Sequence, residues 1–137
     1  TTIAPGNITD QRVILASTAT LQADLATKAP LLATFVTDAT TARTIANGDS
    51  GKTIRFTSGS ATVVTINAST DLAIGARVDI IADGTGELTV AASSATIAAA
   101  ETSTTSGSFT IGAQYSAATL LCVATDEYRL IGNVAVV

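Results

Sequence analysis

The sequence predicts a mainly β protein: an antiparallel β-sandwich or barrel of jelly-roll type, preceded by an N-terminal arm and one short α-helix. Three observations carry that reading. Thr and Ala supply 25 and 26 of the 137 residues, and Thr, like Val, suits a pleated strand because its branched Cβ is confined. From residue 41 onward, apolar and polar residues alternate in short runs. Gly, Asn, Asp and Ser punctuate these runs roughly every 8 to 12 residues, the spacing of sandwiches and barrels.

Two parts are expected, 1–40 and 41–137. Residues 1 to about 9 read as an extended arm with a turn at Pro5-Gly6-Asn7. Thr9 or Asp10 can cap a helix by accepting from its exposed N–H groups. The helix runs to about Lys28, whose charge opposes the negative end of the helix dipole, and Pro30 ends it. Ile14, Thr18, Leu21, Leu25 and Lys28 follow one another in alternating steps of four and three, a two-heptad seam. Thr- and Ala-rich sheets offer such a stripe little to cover, so Ile14, Thr18, Leu21 and Leu25 are assigned to an interface between identical chains. The apolar "LLATFV" after Pro30 has no evident partner in its own chain.

The strand runs follow in order. They are "KTIRFT" (52–57), "ATVVTIN" (61–67), "ARVDIIAD" (76–83), "ELTVAA" (87–92), "ATIAAA" (95–100), "SFTIGA" (108–113), "AATLLCVAT" (117–125) and "EYRLIGNVAVV" (127–137). "DGTG" at 83–86 reads as a hairpin tip, because Asp-Gly tolerates positive φ. A core built from so many small side chains buries little apolar surface at about 25 cal/mol per Å². Subunit contacts are expected to add the missing burial.

Charge and composition exclude several functions. The net charge is −4 and only 13% of residues are charged, so the basic face that nucleic acid requires is absent. No polybasic run or apolar stretch of about 18 residues marks a membrane contact or span, and "TTIAPGNITDQR" has no apolar h-region, so no secretory signal is read there. Thr1 is a residue of the size that permits removal of an initiator Met, so the chain is read as complete. There is no His, which removes the commonest general base and the usual zinc ligand. Cys122 is alone in the apolar run "TLLCVAT" and reads as a small buried hydrophobe.

Three further motifs bear on chemistry. Asp79, Asp83 and Glu87 flank the "DGTG" turn and could hold Ca²⁺ through oxygen ligands or form a glycosidase-type acid pair. The simpler reading is solvated strand-end charge. "GDSGKT" at 48–53 lacks the first glycine and the following helix of a phosphate loop, and reads as a turn into a strand. Tyr115 and Tyr128 could stack on a sugar but are expected at half-buried strand ends. No metal or cofactor is expected.

The segment from about Thr44 to Asn133 resembles a β-domain that recurs in bacteriophage tail-fibre and head-decoration proteins. The resemblance rests on "NGDSGKTIRFTSGSATVVTI", "IGARVDIIADGTGELTVAAS" and "AATLLCVATDEYRLIGNV". The closing strand of such domains usually reads "W.l.G", and Tyr128 stands here at the aromatic position. "LATKAPL" is similar to the linkers between helix and sheet in phage fibres. The resemblance implies a homotrimeric virion protein without enzymatic activity or cofactor. A short chain without a long shaft suits a capsid decoration or cement protein on the outer surface of the head. Its partners would be copies of itself and the major capsid protein or another virion protein. Thr1, Thr2, Ile3, Ala4, Pro5, Ile8 and Arg12 are the candidate capsid contacts. The alternative is a short tail fibre or receptor-binding tip that recognises a host-surface glycan.

Overall fold

A computed structural model describes residues 18–23, 34–68 and 72–137. The chain divides into two compact units, Thr1–Ala33 and Thr34–Val137. In the first unit, residues 18–23 are helical and exposed, within the helix expected from the capping pattern. Thr18 and Leu21 sit three residues apart, so they share a face of this helix. Ile14 and Leu25 lie outside the described residues.

The second unit begins earlier than residue 41, because the end of the expected linker is itself a strand. Its strands are β1 (Thr34–Asp38), β2 (Ala42–Thr44), β3 (Lys52–Phe56), β4 (Thr62–Asn67), β5 (Arg77–Ala82), β6 (Leu88–Ser93), β7 (Thr96–Ala99), β8 (Thr102–Thr105), β9 (Ser108–Ile111), β10 (Ser116–Ala124), β11 (Glu127–Gly132) and β12 (Val134–Val136). They form a seven-stranded sheet in the order β1-β3-β5-β10-β11-β7-β8 and a five-stranded sheet in the order β12-β9-β6-β4-β2. A sandwich is therefore formed, as the strand spacing predicts. The run "EYRLIGNVAVV" divides at Asn133, with β11 in one sheet and β12 in the other.

The expected antiparallel connectivity needs correction. From β1 to β6 the chain alternates between the sheets, so successive strands of one sheet run parallel: β1 with β3, β3 with β5, β2 with β4 and β4 with β6. Parallel neighbours need a crossover connection, and here the strand of the opposite sheet is part of it. The second half closes the sandwich with antiparallel pairs. The β10–β11 hairpin inserts between β5 and β7, and β9 joins β6 to β12. A further parallel pair, β7 with β11, makes both sheets mixed.

"DGTG" is likewise not a hairpin tip. It carries the chain from β5 in one sheet to β6 in the other. Neither Gly84 nor Gly86 adopts positive φ. They are small because backbone lies against them: a Cβ on Gly84 would stand 1.9 Å from the Ser58 carbonyl oxygen, and one on Gly86 2.0 Å from that of Ser60.

Alternation sorts the side chains by size. Ile54, Ile66, Ile80, Ile97, Leu120 and Phe109 are among the fully buried residues between the sheets. Only five Ala and one Thr, Thr62, are buried among the described residues. The core is thus built mainly from branched and aromatic side chains, and the expectation of an Ala-rich filling of small side chains is corrected. Most described Thr and Ala residues lie on outer faces or in turns, where their size matters to whatever approaches from outside.

Candidate functional site

The three acids flanking "DGTG" do not converge. Asp79 faces outward on β5 opposite Thr119 of β10, whose Oγ1 donates to Asp79 Oδ1 at 2.6 Å. Asp83 lies beyond the end of β5 and is held by Arg55, whose Nε donates to Oδ2 at 2.6 Å and whose terminal nitrogen makes a second contact. Glu87 stands beyond the crossing between sheets, and among the described residues no group pairs with its exposed carboxylate. Among the described residues, no three His, Cys, Asp or Glu side chains gather where they could share a metal ion.

"GDSGKT" forms a 3-10 turn at Asn47–Asp49 that leads into β3, as its turn composition predicts. Asp49 belongs to a buried ionic clasp. Arg43 lies on edge strand β2 but points inward. Its guanidinium donates to Asp38 Oδ2 at 2.8 Å and to Asp49 Oδ1 at 2.6 Å. Asp38 also accepts from the Thr40 N–H and hydroxyl, and Asp49 from the Ala46 N–H. Burial pushes both carboxyls up, but these hydrogen bonds outweigh it and hold both below the usual carboxylate range. The clasp ties edge strands β1 and β2 of the two sheets, plugging one side of the sandwich with inward charge. Sequence reasoning missed it, because an inward Arg breaks the alternation used to find the core.

Cys122 is buried in the core as its apolar run predicts, and its Sγ donates to the Leu72 and Ala124 carbonyls at 3.4 and 3.3 Å. Burial, aided by the Asp126 charge, pushes the thiol pKa up, which suppresses the reactive thiolate.

The two tyrosines have opposite environments. Tyr128, at the aromatic position of the closing strand, is 1% exposed in the core. Tyr115 is 77% exposed and adopts φ +72°, the left-handed region that suits glycine or asparagine. For a bulky residue that conformation costs about 1–2 kcal/mol. The Tyr115 N–H donates to the Ala82 carbonyl at 2.6 Å, and Gln114 Nε2 donates to the Asp83 carbonyl at 2.9 Å. These bonds pin the 113–115 turn to the end of β5. Beside the turn lies an open cleft of about 470 Å³ lined by Thr85, Glu87, Thr110, Gly112 and Gln114, among others. "IGAQYSA" has no Gly or Asn at the left-handed position, so nothing in the sequence marked this geometry.

The outer faces of the sheets differ in charge. On the seven-stranded sheet, Arg55, Arg77, Asp79, Glu127 and Arg129 alternate with core residues. On the five-stranded sheet one outward row is Ala42, Val63, Thr89, Thr110 and Ala135. The next is Thr44, Thr65, Ala91 and Ser108. Neither row contains a charge.

Of the residues assigned to an interface between chains, Thr18 and Leu21 are helical, and Leu21 is 62% exposed. Thr1, Thr2, Ile3, Ala4, Pro5, Ile8 and Arg12 lie outside the described residues. No protein-family model matches the chain, and no curated protein matches it.

Proposed function

We propose that the chain is a non-enzymatic structural protein that acts as an assembled homotrimer, decorating and stabilising the head of a bacteriophage. The observation that carries the assembly reading is the exposed outer face of the five-stranded sheet, with two rows of Thr, Ala, Ser and Val and no charge. Such a face loses little hydration when another surface covers it, whereas a charged face must be compensated. The exposed Leu21 on the helical segment adds a second apolar contact for copies of the chain. The virion setting rests on the resemblance of the 44–133 segment to phage β-domains. The N-terminal residues, Thr1 to Arg12, are the candidate contact with the capsid. Stabilisation follows from mass action: a ligand that binds only the assembled shell lowers its free energy.

Solution mass tests the assembly, with three times 13.7 kDa expected and 13.7 kDa refuting it. Particles lacking the protein test the setting. They are expected to lose heat stability, while a loss of host adsorption in its place would move the protein to the tail.

A further inference from the structure

We propose that the Asn47–Gly48 pair is a self-modification site, and that its isoaspartyl product opens the turn that places Asp49 in the Arg43 clasp. The inference is independent of oligomeric state and of any place in a virion. The chain has four Asn, and only Asn47 precedes a Gly. An Asn side-chain amide is open to attack by the backbone nitrogen of the next residue, and glycine, with no Cβ, shields that nitrogen least. Here both groups are available. Asn47 and Gly48 are exposed, and among the described residues no group hydrogen-bonds the Asn47 side chain or accepts from the Gly48 N–H. The 3-10 turn is closed by the Asp49 N–H on the Ala46 carbonyl at 2.9 Å and the Ser50 N–H on the Asn47 carbonyl at 3.1 Å, so neither bond occupies the Gly48 nitrogen. Asp83–Gly84 is the internal contrast. There the Gly84 N–H donates to the Phe56 carbonyl at 2.9 Å, Arg55 holds the carboxylate, and the Ser58 carbonyl crowds the glycine.

The chemistry needs only base and water. Base removes the Gly48 N–H proton, and the nitrogen bonds to Asn47 Cγ. The Cγ–Nδ2 bond breaks, and the side-chain nitrogen leaves as ammonia after taking up a proton. Water then opens the succinimide ring. Opening at Cγ leaves an aspartyl residue in an unchanged backbone. Opening at the main-chain carbonyl routes the backbone through Cβ and Cγ, which lengthens it by one methylene. Either product adds one negative charge to the net −4 of the chain. The lengthened backbone acts on the clasp. The Ala46 N–H donates to Asp49 Oδ2 at 3.1 Å, and the Asp49 N–H donates back to the Ala46 carbonyl. Both bonds span position 47, so a longer backbone there cannot keep both closed. Asp49 then loses the support that holds its carboxylate 2.6 Å from the Arg43 guanidinium.

The folded full chain is incubated in mildly alkaline buffer, digested with trypsin and mapped by fragmentation mass spectrometry, with isoaspartyl methyltransferase labelling as a second readout. Cleavage after Arg43 and Lys52 releases residues 44–52, in which Asn47 is the sole Asn. Isoaspartyl and aspartyl forms are expected to accumulate in this peptide, while Asp83 and Asn133, whose amide is held by Ser116, stay unchanged. Gly48→Ala, for which there is open space, should slow the reaction about tenfold or more. The isoaspartyl chain, separated by ion exchange, is then unfolded in urea at decreasing pH. It should lose stability less steeply than the unmodified chain, whereas freshly prepared Asn47→Asp, which adds the charge without the methylene, should keep the steep loss. An unchanged 44–52 peptide overturns the proposal, as does an equal rate in Gly48→Ala. So does an isoaspartyl chain with the unmodified acid response, or Asn47→Asp that loses the steep response as well.

Discussion

Arg43 points into the sandwich from an edge strand, where an apolar side chain would be the ordinary choice, and it is tolerated because Asp38 and Asp49 meet it there. Both carboxylates are buried, so removing one leaves the guanidinium short of a partner in a site that water reaches poorly. Asp49→Ala is expected to lower stability by about 3 kcal/mol in urea unfolding. The same site sets the response to acid. Both carboxyls bind protons less readily when folded than their ordinary value of 3.8 implies. The unfolded chain therefore takes up more protons as pH falls below about 4. The stabilisation is present above that range and is lost as pH falls through the depressed folded values. Wild-type stability should drop steeply there, and Asp49→Ala should show a shallower slope. Equal slopes would mean that the clasp does not govern acid sensitivity.

At the level of elements, the 83–87 connection shows what glycine does in this fold. Gly84 is squeezed against the Ser58 carbonyl, whereas Gly48 has open space around it and no positive φ. Gly84→Ala forces backbone apart and is expected to cost about 1–3 kcal/mol. Gly48→Ala should stay within about 0.5 kcal/mol. Thermal unfolding of the two variants checks this, and equal midpoints would show that the crossing loop yields freely. The same loop marks the limit of what was legible in the sequence. Alternation in "KTIRFT" and "ARVDIIAD" groups the side chains that are buried together, because burial of one face imposes a period of two in any sheet. It does not reveal which sheet a strand joins or which way its neighbour runs. Those depend on pairings between distant segments, such as Thr53 with Asp79 and Thr62 with Leu88. "DGTG" looks like a hairpin because local turn chemistry is alike whether the next strand pairs back or crosses over. Tyr115 and the Arg43 clasp escaped for a related reason: each is an exception to a pattern, and tertiary hydrogen bonds hold both.

For the whole molecule, the sorting of residues moves the argument for assembly from the core to the surface. The sandwich is filled by its own Ile, Val, Leu, Phe and Tyr side chains, so it needs no partner to complete its interior. What it offers a partner is the charge-free face of the five-stranded sheet, along with the exposed Leu21 of the helical segment. Single lysines distinguish these two contacts. Thr89 lies in the middle of one row of the face, between Val63 and Thr110, and a lysine there would have to be desolvated in any sheet-to-sheet contact. Ser103, exposed on the edge strand of the other sheet, is the control. If the face forms the interface, Thr89→Lys sediments at 13.7 kDa while Ser103→Lys and Leu21→Lys keep the assembled mass. If the helical stripe forms it, Leu21→Lys alone gives the single-chain mass. A wild-type chain that sediments at 13.7 kDa removes both contacts together, since each exists only between copies.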